Sequence, residues 1–356
     1  MGKTMFLRNS WYVAAFDSEI GQTPLARTLL NEPIVLYRTA DGTPVALEDR
    51  CCHRALPLSL GKVVGENIQC GYHGLIFDSA GACVGVPGQS KVPPGAMVRS
   101  YPLVERWNWV WIWMGDPALA DETVIPDWWW ADHPDWVSAK GRGGEPLYVK
   151  CNYELITDNL MDVSHLSYVH ASSVGVAAIA ENAPKTERSD RRVTASRWVP
   201  DKPAAPFYQK AGNFKGNVDR WLITVTDLPC FTMNDAGCVD AGTDAKEGHR
   251  DRGVDIRVLN APTPETETTT NYFYQHVRSF EVGNPVWDDI FRTQFTEVFL
   301  EDQAILEAQQ AALSRKPDGS QIDINDDVPG IAVRRALRQL IQAEQASNDN
   351  TAAAAE

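Results

Sequence analysis

With 356 residues, 44% hydrophobic and 22% charged, the chain has the composition of a globular protein and the length for two domains that each bury a core. Disordered and collagen-like classes are excluded. A formal net charge of -14 without any run of Lys or Arg argues against nucleic acid and against an anionic membrane surface as partners.

In chain order, Met1-Gly2-Lys3-Thr4-Met5-Phe6 has no apolar signal core, and Phe6 stands where a myristoylation signal requires Ser or Thr. No stretch approaches the apolar length of a membrane span, so no membrane association and a cytoplasmic location are expected. Short strand-like runs separated by turn signals follow: Pro33 to Tyr37, a turn at Asp41-Gly42, Pro44 to Glu48, Asn67 to Cys70, Leu75 to Phe77, and Trp109 to Trp113. This is an antiparallel β pattern. Residues 115–144 mix Pro, Gly and acidic residues with a Trp cluster and read as a connector. Period-two alternation is lost over 150–170 and returns in Arg220 to Val225 and Thr269 to Tyr274, before an amphipathic helix from about Val286 to Ser314. The expected fold is α+β throughout: an amino-terminal antiparallel β domain, then an α+β domain with a central antiparallel sheet. The polar, Ala-rich tail from Gln345 is expected to fray.

Seven cysteines in such a chain read as thiols or metal ligands before disulfides. Cys51-Cys52-His53 and Cys70-Gly71-Tyr72-His73 form two short pairs on loop tips, separated by a hairpin-length stretch. Two thiolates and two imidazoles suit tetrahedral zinc. Zinc pairs, however, usually group one residue type per loop, whereas each loop here supplies one Cys and one His. That order suits a [2Fe–2S] cluster of Rieske type, with thiolates on one iron and imidazoles on the other. Gly71, Gly74 and Pro87-Gly88 allow backbone N–H groups close to cluster sulfurs. Cys52 and Cys83 are not needed as ligands, and Gly71-Tyr72 stands where the disulfide-braced, respiratory kind carries a further Cys.

A second constellation lies in Asn159 to His170, where His165 and His170 are preceded by Asp158 and Asp162. On a straight helix the two imidazoles would point about 140° apart, so the helix must end or distort between them. In the carboxy-terminal helix, Phe295, Val298, Phe299, Ile305 and Leu306 all fall within about 60° of Asp302, which centres that carboxylate on the buried face. Glu297, Glu301 and Glu307 turn toward solvent as ordinary surface charges. A buried carboxylate needs a metal or a cationic partner; two His and one carboxylate would form the facial triad of non-haem iron(II) oxygenases, and an ion pair with an Arg is the alternative.

Together these residues resemble the oxygenase components of the Rieske non-haem iron family, over about Met5 to Glu344. Further signatures are Phe6 to Ala15, Tyr101 to Arg106, Trp111 to Pro117, Asp158 to Asp162 and Thr263-Pro264-Glu265-Thr266-Glu267. The likeness is greatest to the short O-demethylase branch typified by vanillate O-demethylase oxygenases. A departure is Cys52, where relatives often carry Pro. The resemblance implies a Rieske domain over 1–118, a connector over 119–145, a mononuclear iron domain over 146–344 and a disordered tail over 345–356. It implies Cys51, His53, Cys70 and His73 on the cluster and His165, His170 and Asp302 on Fe(II). It also implies O2 as co-substrate, NADH oxidised by a separate flavin and iron–sulfur reductase, and a homotrimer. Asp162 then bridges the two metal sites of neighbouring subunits, accepting from His73 of one and His165 of the next, and Asn159 lies near the iron. Arg257, Asn260 and Thr293 are the candidates for contact with a small aromatic substrate. The expected reaction is O-demethylation of a methoxybenzoate such as vanillate to a catechol and formaldehyde; ring cis-dihydroxylation and pure electron transfer are the alternatives.

Overall fold

Continuous apolar sequence, not alternation, marks the strands at the centre of the amino-terminal unit: β1 (Trp11–Phe16) and β10 (Trp109–Trp113) are buried at every position. Such runs belong to strands covered on both faces. The computed structural model describes residues 6–170, 175, 179, 181–250 and 253–355, with side chains up to 349. One unit comprises Arg8–Ile125 with Thr263–Thr266; the other comprises Phe6, Leu7, Pro126–Pro262 and the chain from Glu267 onward.

In the first unit, β2 (Leu25–Leu29), β3 (Glu32–Arg38) and β4 (Pro44–Glu48) form one three-stranded antiparallel sheet. A four-stranded sheet holds β5 (Lys62–Val64), β6 (Asn67–Gln69), β7 (Ile76–Phe77) and β8 (Cys83–Gly85). β9 (Leu103–Arg106) joins β10 and β1 in a third sheet. Two hairpins close on two residues with positive φ, Leu30-Asn31 and Trp107-Asn108, the mirror-image turn that matches strand twist. Val35, Tyr37, Leu47, Ile68 and Phe77 pack one core together with Cys51 and Cys70.

The second unit is built on an eight-stranded antiparallel sheet. Its strands are β11 (Val137–Lys140), β12 (Leu147–Val149), β13 (Lys185–Arg188), β14 (Arg192–Lys202), β15 (Val218–Asp227), β16 (Phe231–Asp240), β17 (Val254–Thr266) and β18 (Thr269–Arg278). Four helices complete it: α1 (Tyr153–Met161), α2 (Pro206–Gly212), α3 (Pro285–Arg315) and α4 (Val328–Ala355). α3 starts where the Asn284 side chain accepts from Val286 N–H, with Pro285 in the first turn. Phe291, Phe295 and Phe299 recur every four residues and form its buried stripe. Phe299 stacks on Tyr274 at 3.8 Å and Phe291 on Phe295 at 4.7 Å. Each aromatic pair contributes about 0.5–1.5 kcal/mol beyond its burial, and the Phe299–Tyr274 pair, which joins α3 to β18, fixes how α3 is rotated against the sheet.

Several expectations are corrected. Residues 119–125 belong with the first unit, where the Trp11 indole donates to the Asp121 carbonyl at 2.8 Å. The expected connector contains β11, which pairs with β18 in the register Ala139 to His276; four residues are too few to show a period. α4 continues through residues 345–355, where Ala-rich sequence favours helix even without an evident partner face. The first five residues, on which the amino-terminal argument rested, lie outside the described residues. No helix among the described residues is long and apolar enough to cross a membrane.

Candidate metal centres

The two Cys/His loops are built alike. Cys51 N–H donates to Leu56 O at 2.9 Å and Ala55 N–H to Cys51 O at 2.9 Å; Cys70 N–H donates to Leu75 O at 2.8 Å and Gly74 N–H to Cys70 O at 3.1 Å. Ala55 and Gly74 both take positive φ. The loops approach closely because Gly71 has no side chain: a Cβ there would lie 2.7 Å from Leu60 O. Cys51 and Cys70 are buried, while His53 and His73 are exposed with ring centroids 4.6 Å apart. Burial pushes the Cys51 thiol up to about 11, with Cys70 close by, so thiolates here call for compensating metal charge. Thiols inside and imidazoles outside fit a diiron cluster with one thiolate-held and one imidazole-held iron. Cys52 is exposed.

The second centre depends on a helix break at Asp162. Its backbone (φ -99°, ψ 90°) ends α1, its N–H donates to Asp158 O at 3.0 Å, and its carboxylate accepts from Ser164 N–H at 2.8 Å. That carboxylate caps a 3-10 turn, Val163–Ser167, which carries His165. The break thus precedes the first imidazole. On the His165 side the expectation is corrected in its acceptor: the Asp162 backbone carbonyl, not its carboxylate, lies 2.5 Å from His165 Nδ1.

His165, His170 and Asp302 converge, their ligand atoms all within 4.8 Å of one another. His170 Nε2 lies 3.0 Å and His165 Nε2 3.6 Å from the same Asp302 oxygen. Asn159 Nδ2 donates to that oxygen at 3.3 Å. His170 is fully buried and its Nδ1 donates to Glu301 at 2.6 Å. Both imidazoles therefore spend Nδ1–H on a protein acceptor and turn Nε2 inward, as metal-binding histidines do. Burial opposes protonation of His170, but Asp302 and Glu301 outweigh it and raise its pKa. Two imidazoles and a carboxylate, with no fourth ligand among the described residues, fit an open iron(II) site. Glu301 is a further correction: the helical projection made it a surface charge, yet it holds the His170 imidazole. The missed signal is chemical, since a ligand His needs an acceptor for its other nitrogen. Ile305, expected on the buried face, is 46% exposed.

The triad forms part of the wall of a largely apolar cavity of about 120 Å³. For comparison, a dry cavity of roughly 150 Å³ accepts benzene, so the space is on the scale of a single aromatic ring. None of the three expected substrate contacts lines it. Arg257 pairs with Asp235 at 2.9 Å and with Asp255, and faces Trp130 and Trp136. Asn260 is buried, donating to Thr232 O and Asn234 Oδ1 at 3.0 Å each and accepting from Tyr272 at 2.7 Å. Thr293 is exposed and bonds back to Asp289 O. The cavity instead receives Arg220 from β15, Asn234 from β16 and His276 from β18, none singled out by the sequence reading.

Residues 10–102 match the Rieske [2Fe-2S] domain family, and residues 149–343 match the vanillate O-demethylase oxygenase C-terminal domain family. The chain is 40% identical over 345 residues to the toluene-4-sulfonate monooxygenase system iron-sulfur subunit TsaM1 of Comamonas testosteroni, covering 96% of this chain and 98% of that one. It is 36% identical over 352 residues to a vanillate O-demethylase oxygenase subunit of Pseudomonas sp., covering 97% and 98%. Among solved structures, dicamba monooxygenase bound to dicamba is similar with a TM-score of 0.86 and 34% identity, covering 96% of this chain and 99% of that one.

Proposed function

The chain belongs to the Rieske non-haem iron oxygenase family, and from that premise we propose that it O-demethylates a methoxybenzoate such as vanillate, yielding a catechol and formaldehyde. It is a terminal oxygenase of the O-demethylase type and carries a Rieske cluster and a mononuclear iron. The observation that supports the narrower reading is the largely apolar cavity, whose wall includes His165, His170 and Asp302. With both centres loaded, the cluster supplies electrons singly and the mononuclear iron activates O2. Cys51, His53, Cys70 and His73 would hold the cluster, and His165, His170 and Asp302 the iron. Asn159 steadies the Asp302 carboxylate, and the apolar walls exclude water while they orient the ring.

Electrons come from NADH through a separate flavin and iron–sulfur reductase, and the enzyme works in the cytoplasm as a cyclic homotrimer. In support, His73 lies beside the exposed Tyr72, while Asp162 and His165 open on a groove that also receives the exposed Ile305 and Ile322. In such a ring the partner subunit's His73 would meet Asp162, linking the two metal sites.

Identity to the toluene-4-sulfonate monooxygenase subunit favours a second reading, oxidation of a ring methyl group. Attack on an aryl methyl ether releases formaldehyde, whereas attack on a ring methyl leaves a benzylic alcohol. Turnover of vanillate with reductase and NADH tests the proposal: catechol and equimolar formaldehyde are expected. A cis-dihydrodiol, or benzylic alcohols formed while methoxybenzoates are left untouched, would refute it.

A further inference from the structure

Insertion of one oxygen atom of O2 into a C–H bond leaves the other as water, so each turnover takes up two protons with the two electrons that arrive through the cluster. The cavity walls do not supply those protons. Burial pushes His276 down to about 3, which makes it a neutral imidazole, and pushes Tyr208 up to about 12 although the Arg220 guanidinium lies over its ring at 4.7 Å. Besides the iron ligand Asp302, the one carboxylate among the described residues of the wall is Asp235, which already accepts from the Trp221 indole and pairs with Arg250 and Arg257. His165 and His170 have given their Nδ1–H groups to the Asp162 carbonyl and to Glu301. Proton supply therefore falls to the other side of the triad.

That side opens on a polar groove of about 490 Å³. Asn159 and His165 line the groove and the cavity alike, so the iron ligands stand between a polar chamber and an apolar one. The groove has room for a file of waters, each needing about 10–15 Å³. It reaches solvent at the exposed Gln321 and Asp323. On its wall Asp158 stands one turn of α1, about 5.4 Å, before Asp162. One Asp158 oxygen pairs with Arg334 of α4, and the other, Oδ1, is buried without a partner. An unmatched buried oxygen is costly to a carboxylate and less so to a carboxyl, which can carry its proton there. Gly330 of α4 leaves this oxygen uncrowded, since a Cβ at that position would lie 2.8 Å from it.

We propose that Asp158 is the proton relay of the oxygenase reaction, taking protons from the groove mouth and passing them through groove water to the edge of the triad at Asn159 and His165. In each transfer the Asp158 O–H bond breaks toward a groove water and forms again from the mouth, so the residue is unchanged after the two protons have passed. Burial raises its pKa to about 6, with Arg334 opposing and Glu154 and Asp327 adding to the rise. The carboxyl thus gains and loses a proton within reach of neutral pH, as a relay must. The charged groups around it are Glu154 and Asp162 of α1, Arg334 of α4 with Arg338 beside Glu154, Asp327 of the turn Asn325–Asp327, and Asp323 before that turn. α3 presents only Ile305, Leu306 and Gln309 to the groove. The inference rests on the oxygenase chemistry and not on which substrate is oxidised.

Two measurements on the holoenzyme test the relay. The first is infrared titration without O2, in which a protonated carboxyl band should disappear as pH rises through about 6 in wild type and be missing from Asp158→Asn. The second is proton uptake on rapid mixing of the reduced holoenzyme with O2 and vanillate, followed with an indicator dye beside the visible spectrum of the cluster. Two protons are taken up whether O2 ends in product and water or in peroxide, so the result stands apart from the proposed demethylation, which formaldehyde analysis decides. The wild-type uptake rate should fall as pH rises through about 6. Asp158→Asn should be slower by about 10- to 100-fold below that pH, at or under the low end for a directly placed acid, and should lack the fall. Arg334→Gln removes the cation that opposes protonation, so the band and the fall in rate should both move to higher pH. That shift keeps the test sharp where Asp158→Asn loses iron, because a merely structural Asp158 would not tie the rate to the charge at 334. Wild-type uptake in an iron-loaded Asp158→Asn, or a rate profile that Arg334→Gln leaves in place, would overturn the relay.

Discussion

Glu301→Ala is the perturbation that most directly tests how the mononuclear site is built. In the native site His170 Nδ1 donates to Glu301 at 2.6 Å while its Nε2 faces Asp302 at 3.0 Å, so the imidazole is held from both sides. Removing the outer carboxylate frees the tautomer, lets the ring rotate and lowers the basicity of Nε2. Losses of this kind typically cost about 10- to 100-fold in metal affinity. Because the Glu301 side chain is 47% exposed, solvent supplies a substitute acceptor, which places the expected loss near tenfold, or about 1.4 kcal/mol. The assay is competition between the protein and a chelator for the mononuclear iron, followed by iron analysis with the visible cluster spectrum as an internal control. Glu301→Gln keeps an acceptor but no charge and should fall between the two. Wild-type affinity in Glu301→Ala would show that the short contact with His170 has no part in metal binding.

Purified protein should be red-brown with about three irons per chain, and Cys51→Ser should bleach it; stoichiometric zinc without colour would contradict the cluster. Asp162→Asn keeps the cap on Ser164 N–H, so both metals should still bind while cluster reoxidation on rapid mixing with substrate and O2 collapses. Reoxidation at the wild-type rate would reduce Asp162 to a helix-breaking role. Burial raises Asp158 to about 6, with Arg334 opposing, so the folded state holds this proton more tightly than the unfolded chain does. The stabilisation that the proton brings is complete below the ordinary carboxyl pKa and is lost as pH rises through about 6. Urea midpoints should show a fall between about pH 4 and about pH 6 that Asp158→Asn lacks, and an unchanged slope in the variant would mean that another group is titrating.

The amino-terminal unit was legible because its signals are local. Cys51 with His53 and Cys70 with His73 each lie within one turn of chain, and the strands around them are short runs closed by turn residues. What escaped was small or discontinuous: the four residues of β11, and the return of Thr263–Thr266 to the first unit from a distant part of the chain. Neither leaves a periodic trace. The sheet of the second unit showed itself as separate strand-like runs, but its register did not, and register decides which side chains share the cavity. Arg257 reads in sequence like any inward-facing basic residue. Only its pairing opposite Asp235 reveals that it is spoken for.

Helix geometry divides the iron site in the same way. Asp302 was found because the projection of α3 needs only spacing within one element, and Phe295, Phe299 and Leu306 are indeed buried beside it. The same projection set Glu301 about 100° away and discarded it, since it treats everything off the apolar stripe as solvent. His170 reaches α3 from the irregular chain after the 3-10 turn and occupies the edge between the two faces, where it engages both carboxylates at once. That placement depends on Asp162, whose backbone breaks α1 and whose side chain restarts the chain as a tighter turn. One residue thus sets the direction of His165 through its carbonyl and the path to His170 through its cap. Its substitution by a residue that cannot cap should therefore disturb iron binding itself, whereas Asp162→Asn should disturb only what the charge does.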